Sequence, residues 1–191
     1  MSGSVEIVNI ALARLGESPI QSLDEGTVPA NMAKIFYDPA RRSTLRDYVW
    51  NFALKTARLA KLAEAPVDFR CAYSLPSDCL RVLRLRSEGI PDFSCPDIRY
   101  AVRSNQLVTD SDPAILEYIY DCADPGEFDD AFIEAFSYRL ASELAMPIKG
   151  SAEMVREMAN QYQAKVAQAA ALSGNENRDM EDSNPYVKAR Y

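Results

Sequence analysis

"AYSLPSDCLRVLRLR", Ala72 to Arg86, is the stretch on which the fold turns. A corner set by Pro76 feeds a run in which basic residues recur at every second or third position. Leu80, Val82 and Leu85 stand against Arg81, Arg84 and Arg86, with a slip in the alternation near Leu83. This pattern predicts a β-strand with one apolar and one basic face. Ser77-Asp78-Cys79 invites a second reading, as a nucleophile with its helpers. The turn reading asks less: Pro76 fixes φ, Ser77 and Asp78 satisfy nearby backbone donors, and Cys79-Leu80 turn inward to begin the strand.

The surrounding chain has the same texture. "FALKTARLAKL" (52–62) reads as a strand, although neither of its faces is cleanly apolar. "IRYAVRSNQLVTD" (98–110) reads as a hairpin turning at Ser104-Asn105, and "AILEYIYDC" (114–122) as a further strand. Turn-rich pieces separate these runs: Ala65-Pro66, Gly89-Ile90-Pro91, Ser94-Cys95-Pro96 and Asp112-Pro113. Residues 50–123 are therefore expected to form a small antiparallel β unit.

On either side the apolar period changes to that of a helix. Ser4 is placed to cap a first helix carrying Val5, Val8, Leu12 and Leu15, and Gly16 supplies its left-handed end. A second helix runs from near Ala30, with Pro29 in its first turn, towards Tyr48. Met32, Ile35, Phe36, Leu45, Tyr48 and Val49 fall on one side of it, and Pro39 should kink or split it. "ARRSTLRD" (40–47) reads as a solvated face or a contact with a neighbour. After "DPGE" (124–127), Phe128, Phe132 and Phe136 form an i, i+4 ladder in a helix ended by Pro147. Ser151 caps the last helix, whose Met154, Met158, Tyr162, Val166 and Ala169 continue a stripe until Gly174. These stripes cannot be buried by single helices, so the outer segments should pack together. The expected fold class is α+β. A helical bundle made of residues 1–49 and 124–172 carries the insert 50–123, and an extended arm follows at 173–191.

Composition narrows the function. At 191 residues and 48% hydrophobic, the chain can build a core. No apolar run approaches the roughly 20 residues of a membrane helix, and no signal peptide is read at the N-terminus. Folding in a cytoplasm is expected. There is no histidine, which removes the commonest general base, metal ligand and partner of a Ser or Cys nucleophile. No P-loop, GxGxxG, HExxH or EF-hand pattern occurs. Cys71, Cys79, Cys95 and Cys122 include no CxxC pair, so buried thiols are favoured over a four-thiolate zinc site. The expectation is no enzyme, no cofactor and no metal. A net charge of −7 argues against wrapping nucleic acid. The local basic face of Arg81, Arg84, Arg86, Arg99 and Arg103 keeps a small DNA-binding or packaging accessory protein as the alternative.

The end of the chain differs from the rest. "SGNENRDMEDSNPYVKARY" (173–191) is polar and acidic until Asn184, then carries Pro185, Tyr186, Val187, Lys188, Arg190 and Tyr191. Aromatic and arginine side chains anchor protein interfaces, and a fully extended arm of this length reaches roughly 60 Å. It reads as a linker followed by a docking peptide.

Four pieces, taken in order, resemble one family: "IVNIALARLGESPIQSL" (7–23), "LRDYVWNFALKTARL" (45–59), "AYSLPSDCLRVLRL" (72–85) and "ELAMPIKGS" (143–151). The chain is similar to the tail tubular protein A-like head-to-tail connector (adaptor) proteins of short-tailed phages and prophages. The resemblance implies a virion structural protein, assembled in the bacterial host cytoplasm, that forms a homo-oligomeric ring of twelve copies under the portal protein. It also implies a platform for tail nozzle and tail fibre proteins, an extended channel through which DNA passes without specific binding, and a C-terminal arm docking on the portal or a neighbouring subunit.

Overall fold

The computed structural model describes residues 3–86 and 98–176. The chain is α+β and divides into two compact units. One contains the residues up to Thr44 and those from Asp124 onward; the other is Leu45–Ala123.

The first unit is helical. Helix α1 is Ser4–Arg14. Gly3, not Ser4, occupies its N-cap, and no side chain caps it. Its end is a Schellman motif: Gly16 adopts φ 67°, its N–H bonds the Ala13 carbonyl and the Glu17 N–H bonds that of Leu12. Ile7, Val8, Ala11 and Leu12 are buried, whereas Val5 is only half-buried. The Asn9 side chain then fastens the following loop. Its amide donates to the Ile20 carbonyl at 3.0 Å and its oxygen accepts the Ile20 N–H at 2.8 Å.

Helix α2, Val28–Asp47, runs unbroken through Pro39. Of the side expected to be buried, Leu45 is, but the large residues before it are not. Ala30, Ala33, Tyr37, Ala40, Arg41 and Thr44 face inward, while Ile35 is 58% exposed and Met32 and Phe36 are half-buried. "ARRSTLRD" is accordingly not wholly solvated, because Arg41 is buried beside Asp38, whose carboxylate accepts from it at 3.3 Å.

Helix α3, Asp130–Lys149, is capped by Asp129, whose carboxylate accepts the Phe132 N–H. Pro147 lies inside its last turn; the helix ends instead at Gly150, which takes φ 64°. Phe132 and Phe136 are fully buried, and Phe128 packs on them from before the helix start, 4.8 Å from the Phe132 ring. Tyr37 of α2 meets Phe136 edge-on at 5.1 Å, and the Arg14 guanidinium of α1 lies 3.2 Å from the Tyr138 ring centre. Helix α4, Ala152–Glu176, begins where the Ser151 hydroxyl accepts the Met154 N–H. It continues past Gly174, so residues 173–176, expected to start the arm, are helical. Tyr162 and Ala169 are buried in its stripe, with Met154, Met158 and Val166 half-buried.

The second unit holds two antiparallel sheets where one β unit was expected. Its strands are β1 (Leu54–Arg58), β2 (Ala60–Lys61), β3 (Cys71–Ser74), β4 (Cys79–Arg86), β5 (Tyr100–Arg103), β6 (Gln106–Thr109) and β7 (Ile115–Tyr120). One sheet has the order β1-β7-β4, the other β2-β3-β6-β5. "FALKTARLAKL" therefore supplies two strands, one to each sheet, and "CAYS" is a strand the alternation did not show. Tyr73, Leu107, Leu85, Leu116 and Tyr118 pack between the sheets as one core. Ser104 and Asn105 form the β5–β6 turn with positive φ at both positions, as a two-residue hairpin requires. The turns expected at Gly89-Ile90-Pro91 and Ser94-Cys95-Pro96 lie outside the described residues.

Candidate interaction surface

Strand β4 carries the three arginines of the opening stretch. Its pairing with β7 slips twice, between Cys79 and Arg81 and again between Val82 and Arg84. The slip expected near Leu83 is thus present, and a second occurs at Leu80. Strict alternation would have put Arg81 on the opposite face from Arg84 and Arg86. The residue inserted at Leu83 corrects the phase, so all three point the same way, and the one at Leu80 brings Cys79 onto the same side as Val82. Cys79, Val82 and Leu85 point to the shared core.

The outer face of this sheet is consequently basic around one acid. Glu117 on β7 lies opposite Arg84, and its carboxylate meets the Arg84 guanidinium at 3.0 Å and that of Arg86 at 2.5 Å. Arg81 donates to the Arg46 carbonyl at 2.8 Å. Arg58 of β1 pairs with Ile115, as does Arg86 from the other side, and therefore shares the face. Sequence spacing did not single out Arg58; only the pairing of β1 with β7 brings it here.

Arg99 and Arg103 lie elsewhere, so the expected single basic face of five arginines is split. They belong to the second sheet, whose outer side is covered by the loop before β3. Arg103 forks onto Asp68, with nitrogen–oxygen distances of 3.0 and 2.7 Å. That pair holds the Asp68 carboxyl below its ordinary range, chiefly by the hydrogen bond from Arg103. Phe69 inserts beneath, on Ala72 and Val108, with the Arg99 guanidinium 4.6 Å from its ring centre. The sheets share a core between their inner faces, so the two arginine groups point away from each other.

The Ser77-Asp78-Cys79 corner is a turn closed by the Cys79 N–H to the Pro76 carbonyl. Asp78 does more than satisfy its own backbone. Its carboxylate accepts Lys55 Nζ at 3.0 Å and the Tyr118 hydroxyl at 3.1 Å. Burial pushes this carboxyl up, but the two donors and the lysine charge outweigh it and leave it low. Cys79 is pushed the other way: burial and the Asp78 charge raise its thiol. A thiol so placed is a poor nucleophile.

Cys71 and Cys122 are buried and Cys79 is half-buried; Cys95 is outside the described residues. Among the described residues no group of acidic or cysteine side chains is arranged to hold a metal ion. No helix among them is long and apolar enough to cross a membrane. The docking residues Pro185, Tyr186, Val187, Lys188, Arg190 and Tyr191 also lie outside the described residues.

No curated protein matches the chain. The family model for the tail tubular protein matches residues 5–106, which run from α1 through both slips of β4 to the β5–β6 hairpin and make up more than half of the sequence. With that match and an α+β architecture, the chain belongs to the tail tubular protein family, a family of phage tail structural proteins.

Proposed function

We propose that the chain is a head-to-tail adaptor of a short-tailed phage or prophage. It assembles in the host cytoplasm into a ring of twelve copies beneath the portal, extends the DNA channel, and seats the tail nozzle and tail fibre proteins. The family match is the observation that carries this reading. The surface chemistry supports a passage for DNA over a binder of it. Arg84 and Arg86 converge on Glu117 and Arg103 is held by Asp68, which lowers the counterion release that phosphate binding would gain. Repeated side-by-side contacts that close by rotation suit a chain carrying both charge signs in abundance.

The last residues, Pro185 to Tyr191, are proposed to dock on the portal or a neighbouring subunit, with Tyr186, Val187 and Tyr191 as apolar anchors and Lys188 and Arg190 as cations. Deleting Ser183–Tyr191 tests this. The truncated chain should keep the far-ultraviolet circular dichroism of the full chain and fail to co-sediment with portal-bearing heads. Truncated chain that joins heads normally would remove the docking role. Electron microscopy of full-length chain mixed with portal should show rings, and their absence would sink the adaptor reading.

A further inference from the structure

Helix α2 is apolar on two opposite sides. The inner side is built from Ala30, Ala33, Tyr37 and Ala40. At 100° per residue, Val28, Met32, Ile35 and Pro39 fall on the reverse side, and Arg42 continues that stripe by two turns from Ile35. Val28 is 62% and Ile35 58% exposed, and Arg42 is exposed. A helix with two apolar faces belongs between two layers, and the chain's own bundle provides one.

The same helical unit carries a surface of matching chemistry. Between the start of α3 and the end of α4 lies a groove of about 210 Å³ lined by Ala131, Ala169 and Leu172 with Asp130, Glu134 and Lys165. Leu172 is 56% exposed. Lys165 already pairs with Glu134 at 2.8 Å, so the groove offers apolar contact plus the surplus acid of Asp130.

We infer that the Val28–Met32–Ile35–Arg42 stripe of one copy seats in the α3–α4 groove of a second copy, apolar residues on Ala131, Ala169 and Leu172, and Arg42 beside Asp130. The contact uses two different surfaces of one chain, so it propagates from copy to copy and is heterologous. It rests on the adaptor reading only in requiring that copies meet side by side.

Disulfide trapping in the full chain tests it. Ile35→Cys combined with Leu172→Cys should yield ladders of linked chains on oxidation. Mixing the two single variants should yield linked pairs only, and either alone should show no more than wild type. By sedimentation velocity, Ile35→Asp should raise the concentration for half-association roughly tenfold or more. Arg42→Glu should weaken association and Asp130→Arg added to it should restore it, with circular dichroism unchanged throughout. Wild-type association in Ile35→Asp and Arg42→Glu, with no ladder from the double cysteine, overturns this surface while leaving the adaptor reading intact. A wild-type chain that stays monomeric at every concentration and shows no rings on portal removes both.

Discussion

The Tyr118 hydroxyl donates to the Asp78 carboxylate at 3.1 Å, forty residues away in sequence and across the β4–β7 pairing. With Lys55 on the same carboxylate, this contact ties the turn of the opening stretch to β1 and β7 together. Burial first, then the Asp78 hydrogen bond and charge, push the Tyr118 phenol up to about 12.

An exposed tyrosine ionises near 10. Stability from neutral Tyr118 is therefore complete below about 10 and is lost as pH rises through about 12. The Asp78 carboxyl is held low, so its contribution is complete above the ordinary carboxylate range and is lost as pH falls through its lower folded value. Burial raises the Tyr37 and Tyr73 phenols too, so absorbance titration at 295 nm should show a late phase that loses one phenol in Tyr118→Phe and from which one phenol moves earlier in Asp78→Asn. A late phase with the wild-type number of phenols in Asp78→Asn would refute the pairing.

Phe136→Ala should cost about 3–5 kcal/mol in denaturant unfolding. The ring is fully buried and meets both Tyr37 and Phe132, so its removal leaves a cavity between α2 and α3.

Asn9→Ala should cost about 1–3 kcal/mol, because it strands both the N–H and the carbonyl of buried Ile20. Hydrogen exchange at the Ile20 amide should accelerate more than at amides within α1. Equal acceleration across α1 would show that the effect is global.

Gly150→Ala should cost about 1–2 kcal/mol from backbone strain alone. A Cβ there meets nothing within 4 Å, so the loss comes only from the positive φ of 64° that ends α3. Gly150→Asn, which tolerates that region better, should recover part of it in thermal melts.

Much of this fold is legible in the sequence, and the failures are instructive. The arginine strand, the Ser104-Asn105 turn and the Ser151 cap each follow from short-range chemistry and are found where expected; the Phe rings stack as a ladder, but Phe128 stands before α3 and not in it. The inner side of α2 was invisible because alanines carry little hydrophobic weight beside Met32, Ile35 and Phe36. Choosing the larger residues selects the outer surface. Pro147 does not end α3; the helix runs on to Gly150, which supplies the left-handed stop three residues later. The common face of Arg81, Arg84 and Arg86 follows from the slip near Leu83 that the alternation shows, whereas Arg58 joins them only through pairing across more than fifty residues. No local pattern encodes such partnerships.

One consequence of the strand order concerns how the chain is spliced. Leu54, just after the chain enters the β-rich unit, lies opposite Ile119, just before the chain leaves it. Entry and exit strands are immediate neighbours, roughly 5 Å apart in a paired ladder. The segment 45–123 is thereby wired as a cassette whose two leads are side by side. It can be exchanged for another pair of adjacent strands, or bridged by a few residues, with little change in the distance the helices must span.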